Sequence, residues 1–255
     1  MEAMPVIERQ LFGVKYSCLR SLDETLITIV SSCLPQAHDF RYVVTPNADH
    51  IMRIMESPRL RDIYNGAWIC VNDSRVVQLL LWACGVTLPT IRGSDLTAAL
   101  VQSQWISRQT IIVIGGDASI SPWLKCRVGH DHVFHYNPPM GFFSCSETVE
   151  SVIEFIRQHL PAIIFLAVGS PSQEIIAATC RHRGMKGGIA LCIGAGLLMA
   201  AGIEKRAPPI MRFAGIEWLY RLIRDPRRLA GRYFRNLGIF RIIVREFLLS
   251  TSRAN

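Results

Sequence analysis

Ala162-Ile163-Ile164-Phe165-Leu166-Ala167-Val168-Gly169-Ser170-Pro171-Ser172-Gln173-Glu174 is the stretch that decides the architecture. Seven apolar residues in a row make a strand buried on both faces, because a strand with one wet face alternates polar and apolar side chains. Gly169 and Pro171 end the run, and a helical pattern spans Pro171–Arg183. A second apolar run follows at Ile189–Ile193. Strand, helix and strand in that order form a parallel βαβ unit.

The same alternation extends toward the N-terminus. Strands are expected at Arg41–Thr45, Ala67–Val71, Thr110–Ile114 and His132–Tyr136. Helices are expected at Leu22–Leu34, Ala48–Ser57, Ser74–Cys84, Leu96–Ser107, Ser119–Val128 and Ser146–His159. The fold class is therefore α/β, a Rossmann-like parallel sheet with helices on both faces. Gln10–Cys18 reads as a small edge strand or hairpin. Gly187–Ile203, the longest uncharged apolar stretch, reads as a buried strand plus turn.

Charge divides the chain. The 255 residues carry a net charge of +8. From Glu204 onward there are 12 Lys/Arg against 4 Asp/Glu, and the preceding residues are balanced at 16 each. This places an α/β domain over 1–204 and a basic helical appendage over 205–255, with helices at Pro208–Ile223 and Asp225–Leu249. The last segment interleaves Arg228, Arg232, Arg235, Arg241 and Arg245 with large apolar residues, the composition of an interfacial amphipathic helix. An anionic membrane surface suits that pattern better than nucleic acid does. Half of the residues are hydrophobic and 19% are charged, which excludes a disordered chain. The eight cysteines are scattered without a C-x-x-C pair and read as thiols in a reducing cytosol. The N-terminal residues show no signal-peptide pattern.

Ligands of an open parallel sheet bind outside the carboxyl ends of its strands. Those ends carry Thr45-Pro46-Asn47, Asn72-Asp73-Ser74, Gly115-Gly116-Asp117, Asn137-Pro138-Pro139-Met140-Gly141, Gly169 to Glu174 and Gly194-Ala195-Gly196. Each alone is ordinary turn and cap chemistry; their gathering at one rim points to a polar ligand. No Walker A pattern is present, no G-x-G-x-x-G follows the first strand, and no D-x-D occurs to clamp a metal–diphosphate. His130, Asp131, His132 and His135 lack a second ligand pair, so no metal site is assigned and no cofactor is expected.

Taken together, these pieces resemble the WecG/TagA/CpsF glycosyltransferases. The resemblance adds Arg92-Gly93-Ser94-Asp95-Leu96, Gly141-Phe142-Phe143, Arg206-Ala207-Pro208, Gly215 to Leu222 and Asp225-Pro226-Arg227-Arg228, and it covers roughly residues 10–235. Glu217-Trp218-Leu219-Tyr220-Arg221-Leu222 is its most specific part. It implies inverting, metal-independent transfer of a sugar from a UDP-sugar donor to a polyprenyl-diphosphate-linked saccharide acceptor, in bacterial cell-surface or exopolysaccharide synthesis at the cytoplasmic face of the inner membrane. Residue by residue, it puts the general base on Asp73, substrate-positioning groups on Thr45, Asn47 and Gln173, and diphosphate-binding arginines on Arg221 and Arg228, with Arg92 a lesser candidate. Homo-oligomerisation is left open.

Two departures matter. Asn72-Asp73-Ser74 stands where the family often has Ala-Asp-Gly, so the carboxylate is kept and the turn glycine is not. Leu197-Leu198 replaces the usual Phe-Asp, which questions an N-acetylmannosamine-type donor; Pro138-Pro139-Met140-Gly141 resembles xanthan-type, GumM-like members, where a glucosyl donor fits. The plainer readings are an N-cap for Asp73, a solvated helix face for Arg221 and Arg228, and packing for Trp218 and Tyr220. Rival functions are a nucleotide-dependent oxidoreductase and a non-catalytic membrane adaptor, and UDP release separates them from a transferase.

Overall fold

A computed structural model describes residues 7–32, 39–159, 161–208, 210–211 and 214–251. Six parallel strands form the sheet: β3 (Arg41–Val44), β4 (Ile69–Cys70), β5 (Ile111–Gly115), β6 (Val133–Tyr136), β7 (Ile163–Ala167) and β8 (Ile189–Cys192), in the order β4-β3-β8-β7-β5-β6. The expected Rossmann-like α/β class is what is found. The opening segment is a hairpin, β1 (Glu8–Leu11) with β2 (Val14–Ser17), paired antiparallel as its own two-stranded sheet.

Every central strand feeds both faces, which explains the unbroken apolar runs. Tyr42, Val44, Ile112, Ile114, Ile164, Leu166, Ala190 and Cys192 face one core, and Val43, Ile111, Val113, Ile163, Phe165, Ile189 and Leu191 face the other. Helices α2 (Ala48–Glu56), α3 (Pro58–Asn65), α4 (Arg75–Ala83), α7 (Ser146–His159) and α8 (Ser172–His182) cover the first core. Helices α1 (Leu22–Ser32), α5 (Gly93–Gln102), α6 (Ile120–Val128) and α9 (Gly196–Ala200) cover the second. Gly187–Ile203 supplies β8 and α9, a buried strand followed by a short helix.

Several expectations need correcting. Pro58 does not merely end a helix: Ser57 caps a second one, its Oγ accepting from the Leu60 N–H at 3.3 Å, with proline in the first turn where no N–H is needed. The Ala67–Val71 strand shrinks to Ile69–Cys70. The helix expected at Leu96–Ser107 starts at Gly93 and stops at Gln102, with a separate 3-10 turn at Ile106–Arg108. The end of the Leu22–Leu34 helix lies outside the described residues.

Beyond Lys205 lie α10 (Glu217–Arg224), α11 (Pro226–Asn236) and α12 (Gly238–Thr251). The helix expected over Pro208–Ile223 is interrupted by Gly215, whose φ of +75° is left-handed and whose missing Cβ lies 3.2 Å from Arg75 Cγ. The helix expected over Asp225–Leu249 breaks at Leu237. Gly238 then passes close to α2: an added Cβ would meet Met52 Cε at 2.8 Å. Both α11 and α12 pack on α2, and α12 also packs on α4. Leu229, Ile239 and Ile243 are buried, the last two inside the first core. Arg235 reaches Asp49 at 3.1 Å, a carboxylate also held by Arg53.

Candidate active site

Three loops meet beyond the ends of β3 and β4. The Asp73 N–H donates to the Pro46 carbonyl at 2.9 Å, tying the second loop to the first. Asn72 braces its own turn: its Oδ1 accepts from the Ser74 N–H at 3.0 Å, and its Nδ2 donates to the Ser74 carbonyl at 3.0 Å and to Thr90 Oγ1 at 3.2 Å. The Ile91 N–H donates to the Asn72 carbonyl at 2.8 Å, which brings in the third loop and the start of α5. These side-chain bonds hold the turn without a glycine.

Ser74, not Asp73, caps α4; its Oγ accepts from the Val77 N–H at 3.3 Å. The plain reading of Asp73 as that cap is therefore overturned. Its carboxylate instead accepts from the Gly93 N–H. Gly93 also lies against Thr45, since a Cβ there would sit 2.8 Å from Thr45 Oγ1. Burial is the main reason that the Asp73 pKa is pushed up to about 7; Glu217 adds to it, while the Gly93 N–H, Arg221 and Arg92 pull it down.

Cations border this carboxylate. Arg92 precedes α5 and pairs with Asp95 at 3.6 Å. Arg206 Nη2 bonds Asp95 at 2.6 Å and Ser94 Oγ at 2.9 Å, pinning the entry to the C-terminal segment onto α5. Arg221, on α10, pairs with Glu217 at 2.7 Å and is close enough to Asp73 to affect its ionisation. The structure thus brings together Thr45, Asp73, Arg92 and Arg221. Arg228 lies in α11, and its side chain is outside the described residues.

Asn47 and Gln173 are placed differently. Asn47 caps α2, its Oδ1 accepting from the N–H groups of Asp49 at 3.0 Å and His50 at 3.3 Å. Gln173 is 2% exposed; its Oε1 accepts from the Gly194 N–H and its Nε2 donates to Glu174 Oε1, both at 2.9 Å. It therefore joins the rims of β7 and β8. Glu174 Oε1 also accepts from Tyr64 Oη at 3.1 Å, and Arg53 Nη1 donates to the Ser170 carbonyl at 3.0 Å. Burial lowers the pKa of the neighbouring His50, with Glu174 opposing. Sequence reasoning missed Gly93, Glu174, Tyr64 and Glu217 as parts of the site. Gly93, Glu174 and Glu217 stand inside the motifs quoted for the family resemblance, whereas Tyr64 carried no signal.

Two other clusters are structural. Asp117 turns its carboxylate onto the Ser119 N–H at 2.8 Å and Oγ at 2.5 Å. His135 is bonded to the Gly115 carbonyl at 2.9 Å. Among the described residues no three His, Cys, Asp or Glu side chains gather as metal ligands would.

The glycosyl transferase WecG/TagA/CpsF family model matches residues 9–253. The chain belongs to this family. Membership of the WecG/TagA/CpsF family makes it a glycosyltransferase of polysaccharide synthesis, acting on a sugar donor and an acceptor. The match runs through the C-terminal helices, so α10 to α12 are family structure and not an unrelated extension. Where the resemblance expects Phe-Asp, Leu197 is fully buried and Leu198 packs against the same core. Among the described residues no helix is long and apolar enough to cross a membrane.

Proposed function

We propose that the chain moves a sugar, with inversion and without a metal, from a UDP-sugar to a polyprenyl-diphosphate-linked saccharide at the cytoplasmic face of a bacterial inner membrane. The observation that carries this reading is the three-loop junction that places the Asp73 carboxylate beside the Gly93 N–H and near Arg221 of α10, where burial pushes its pKa up to about 7. A base works best with a pKa near the operating pH. Asp73 takes the proton of the acceptor hydroxyl as that oxygen bonds to the anomeric carbon. The bond from that carbon to the diphosphate oxygen breaks, and its electron pair leaves with UDP. Arg221 and Arg228, with Arg92 in a lesser role, neutralise the leaving diphosphate, which is how a metal-free site stabilises such a group. Thr45, Asn47 and Gln173 shape the walls.

Donor choice follows from Leu197 and Leu198. With both side chains turned to the core, this turn lacks the carboxylate expected beside an N-acetylmannosamine-type donor, and the resemblance of Pro138-Pro139-Met140-Gly141 to xanthan-type members favours a glucosyl donor. The membrane reading rests on the apolar side chains that α10 to α12 leave exposed among arginines.

Incubating the protein with a panel of UDP-sugars and lipid-diphosphate acceptors, with product mass and anomeric configuration as readouts, tests the reading. UDP-glucose is the expected donor, with an inverted product and full turnover in EDTA. Turnover lost in EDTA and restored by Mg²⁺ or Mn²⁺ overturns the metal-free mechanism, and a retained anomeric configuration overturns the single-displacement step.

A further inference from the structure

We propose that the lipid-contacting surface extends from the C-terminal helices onto α4 of the α/β domain, and that Trp82 is the side chain by which that domain enters an anionic membrane interface. This rests on the membrane reading above.

Helix α4 turns Val77 and Leu81 into the core, both at most 2% exposed, yet leaves Leu79 at 40% and Trp82 at 71% exposure. These two are three residues apart and share a face. Next to α4 lies α12, which has two apolar sides. Ile239 and Ile243 join Val77 and Leu81 in the core. Phe240, Val244 and Phe247, at i, i+4 and i+7, are 50%, 54% and 40% exposed. Gly215 bridges toward α10: its missing Cβ would lie 3.7 Å from Leu79 Cδ1, and Ile216 follows at 37% exposure. Helices α4 and α12 therefore pack side by side, with the turn before α10 against Leu79, and each of these elements leaves apolar residues exposed, more than scattered surface hydrophobics explain.

The rim chooses the partner. Arg224 on α10, Arg227 on α11, and Arg241 and Arg245 on α12 are exposed, in the segment that holds the whole excess charge of the chain. An apolar surface rimmed by arginine matches acyl chains below anionic headgroups. Tryptophan is the side chain suited to that boundary, with a large apolar body and one N–H donor.

The position of Trp82 also has a use. The cap of α4, Ser74, directly follows Asp73. At 1.5 Å per residue, Trp82 lies about 12 Å along the helix from that cap. The headgroup layer of one leaflet is about 5–8 Å thick. Anchoring Trp82 at the headgroup boundary would hold the Ser74 cap, and Asp73 just before it, no more than about 12–14 Å from that boundary, a few ångströms beyond the headgroup layer.

The test uses the full chain with phosphatidylcholine vesicles, with and without phosphatidylglycerol, and with brominated acyl chains. In anionic vesicles, brominated lipid should quench tryptophan emission of the wild type, and the quenched fraction should fall in Trp82→Phe. Trp82→Ala should bind anionic vesicles about 10-fold more weakly, the loss expected for one aromatic contact of this size. If wild type binds but Trp82→Phe is quenched equally, or Trp82→Ala binds as tightly, α4 is not part of the surface while the C-terminal reading stands. If the full chain binds no anionic vesicle, both fall. If the lipid-free wild type is a dimer that Trp82→Ala dissociates, a second copy covers this face and the proposal is wrong.

Discussion

Asp73 joins two effects that a single substitution separates. Its carboxyl holds a proton up to about pH 7, whereas the unfolded chain releases it near the ordinary value of 3.8. Between those values the folded state binds more protons than the unfolded one, so this group's contribution makes stability fall as pH rises from about 4 to 7. Asp73→Asn removes that slope. The variant should melt above the wild type at pH 8, and the difference should vanish below pH 4. Its kcat should drop on the order of 10²-fold or more, because an amide cannot take a proton. The wild-type rate should rise with pH along a single titration near 7. Thermal melts and pH–rate profiles of both proteins check this, and an Asn variant with near-normal kcat rules Asp73 out as base. The residue itself was legible from its rim position and from the family resemblance. Its elevated pKa was not, because that comes mainly from burial in the folded junction, with Glu217, remote in sequence, adding to it.

At the scale of elements, the strands and most helices were legible because both-face burial leaves unbroken apolar runs. Helix α3 was not: Ser57-Pro58 carries a stop signal and a start signal in the same two residues. That helix matters to the site through Tyr64, whose hydroxyl donates to the buried Glu174. Tyr64→Phe should cost about 1–3 kcal/mol, the usual result of withdrawing a donor from a buried acceptor, measurable as a lower urea midpoint. The start of α5 is a second sensitive point. Gly93→Ala gains helix propensity of about 1 kcal/mol, but its methyl would push on Thr45 Oγ1. Overpacking of that kind costs about 1–3 kcal/mol, so the melting temperature should move little or fall slightly. Activity should fall at least about 10-fold, since Thr45 and the Asp73 hydrogen bond both shift. Normal kcat/KM in this variant would show that the three-loop junction is not the reacting centre.

For the whole molecule, the charge division and the helical C-terminal segment were legible, but its docking was not. The arginine-rich pattern hides that Leu229, Ile239 and Ile243 are buried, on one side of helices whose other side is exposed. Each such side chain is worth about 1.5–3 kcal/mol of burial, so a chain ending at Arg224 should unfold more readily than the full chain. Phe240→Glu with Val244→Glu is the cleaner probe, since both residues are about half exposed. That double variant should keep its melting temperature within a few degrees of the wild type, as exposed sites allow, and lose sedimentation with anionic vesicles. Wild-type binding should weaken with salt as the electrostatic part is screened. Unchanged sedimentation of the double variant would remove α12 from the membrane surface. The central claim, that this chain is a transferase driven by Asp73 on a UDP-sugar, is tested most directly by UDP release in the presence of a polyprenyl-diphosphate-linked acceptor, wild type against Asp73→Asn. Acceptor-dependent UDP release by the wild type that falls on the order of 10²-fold in the variant is the expected result; no acceptor-dependent UDP from any UDP-sugar, or equal release by both proteins, would contradict it.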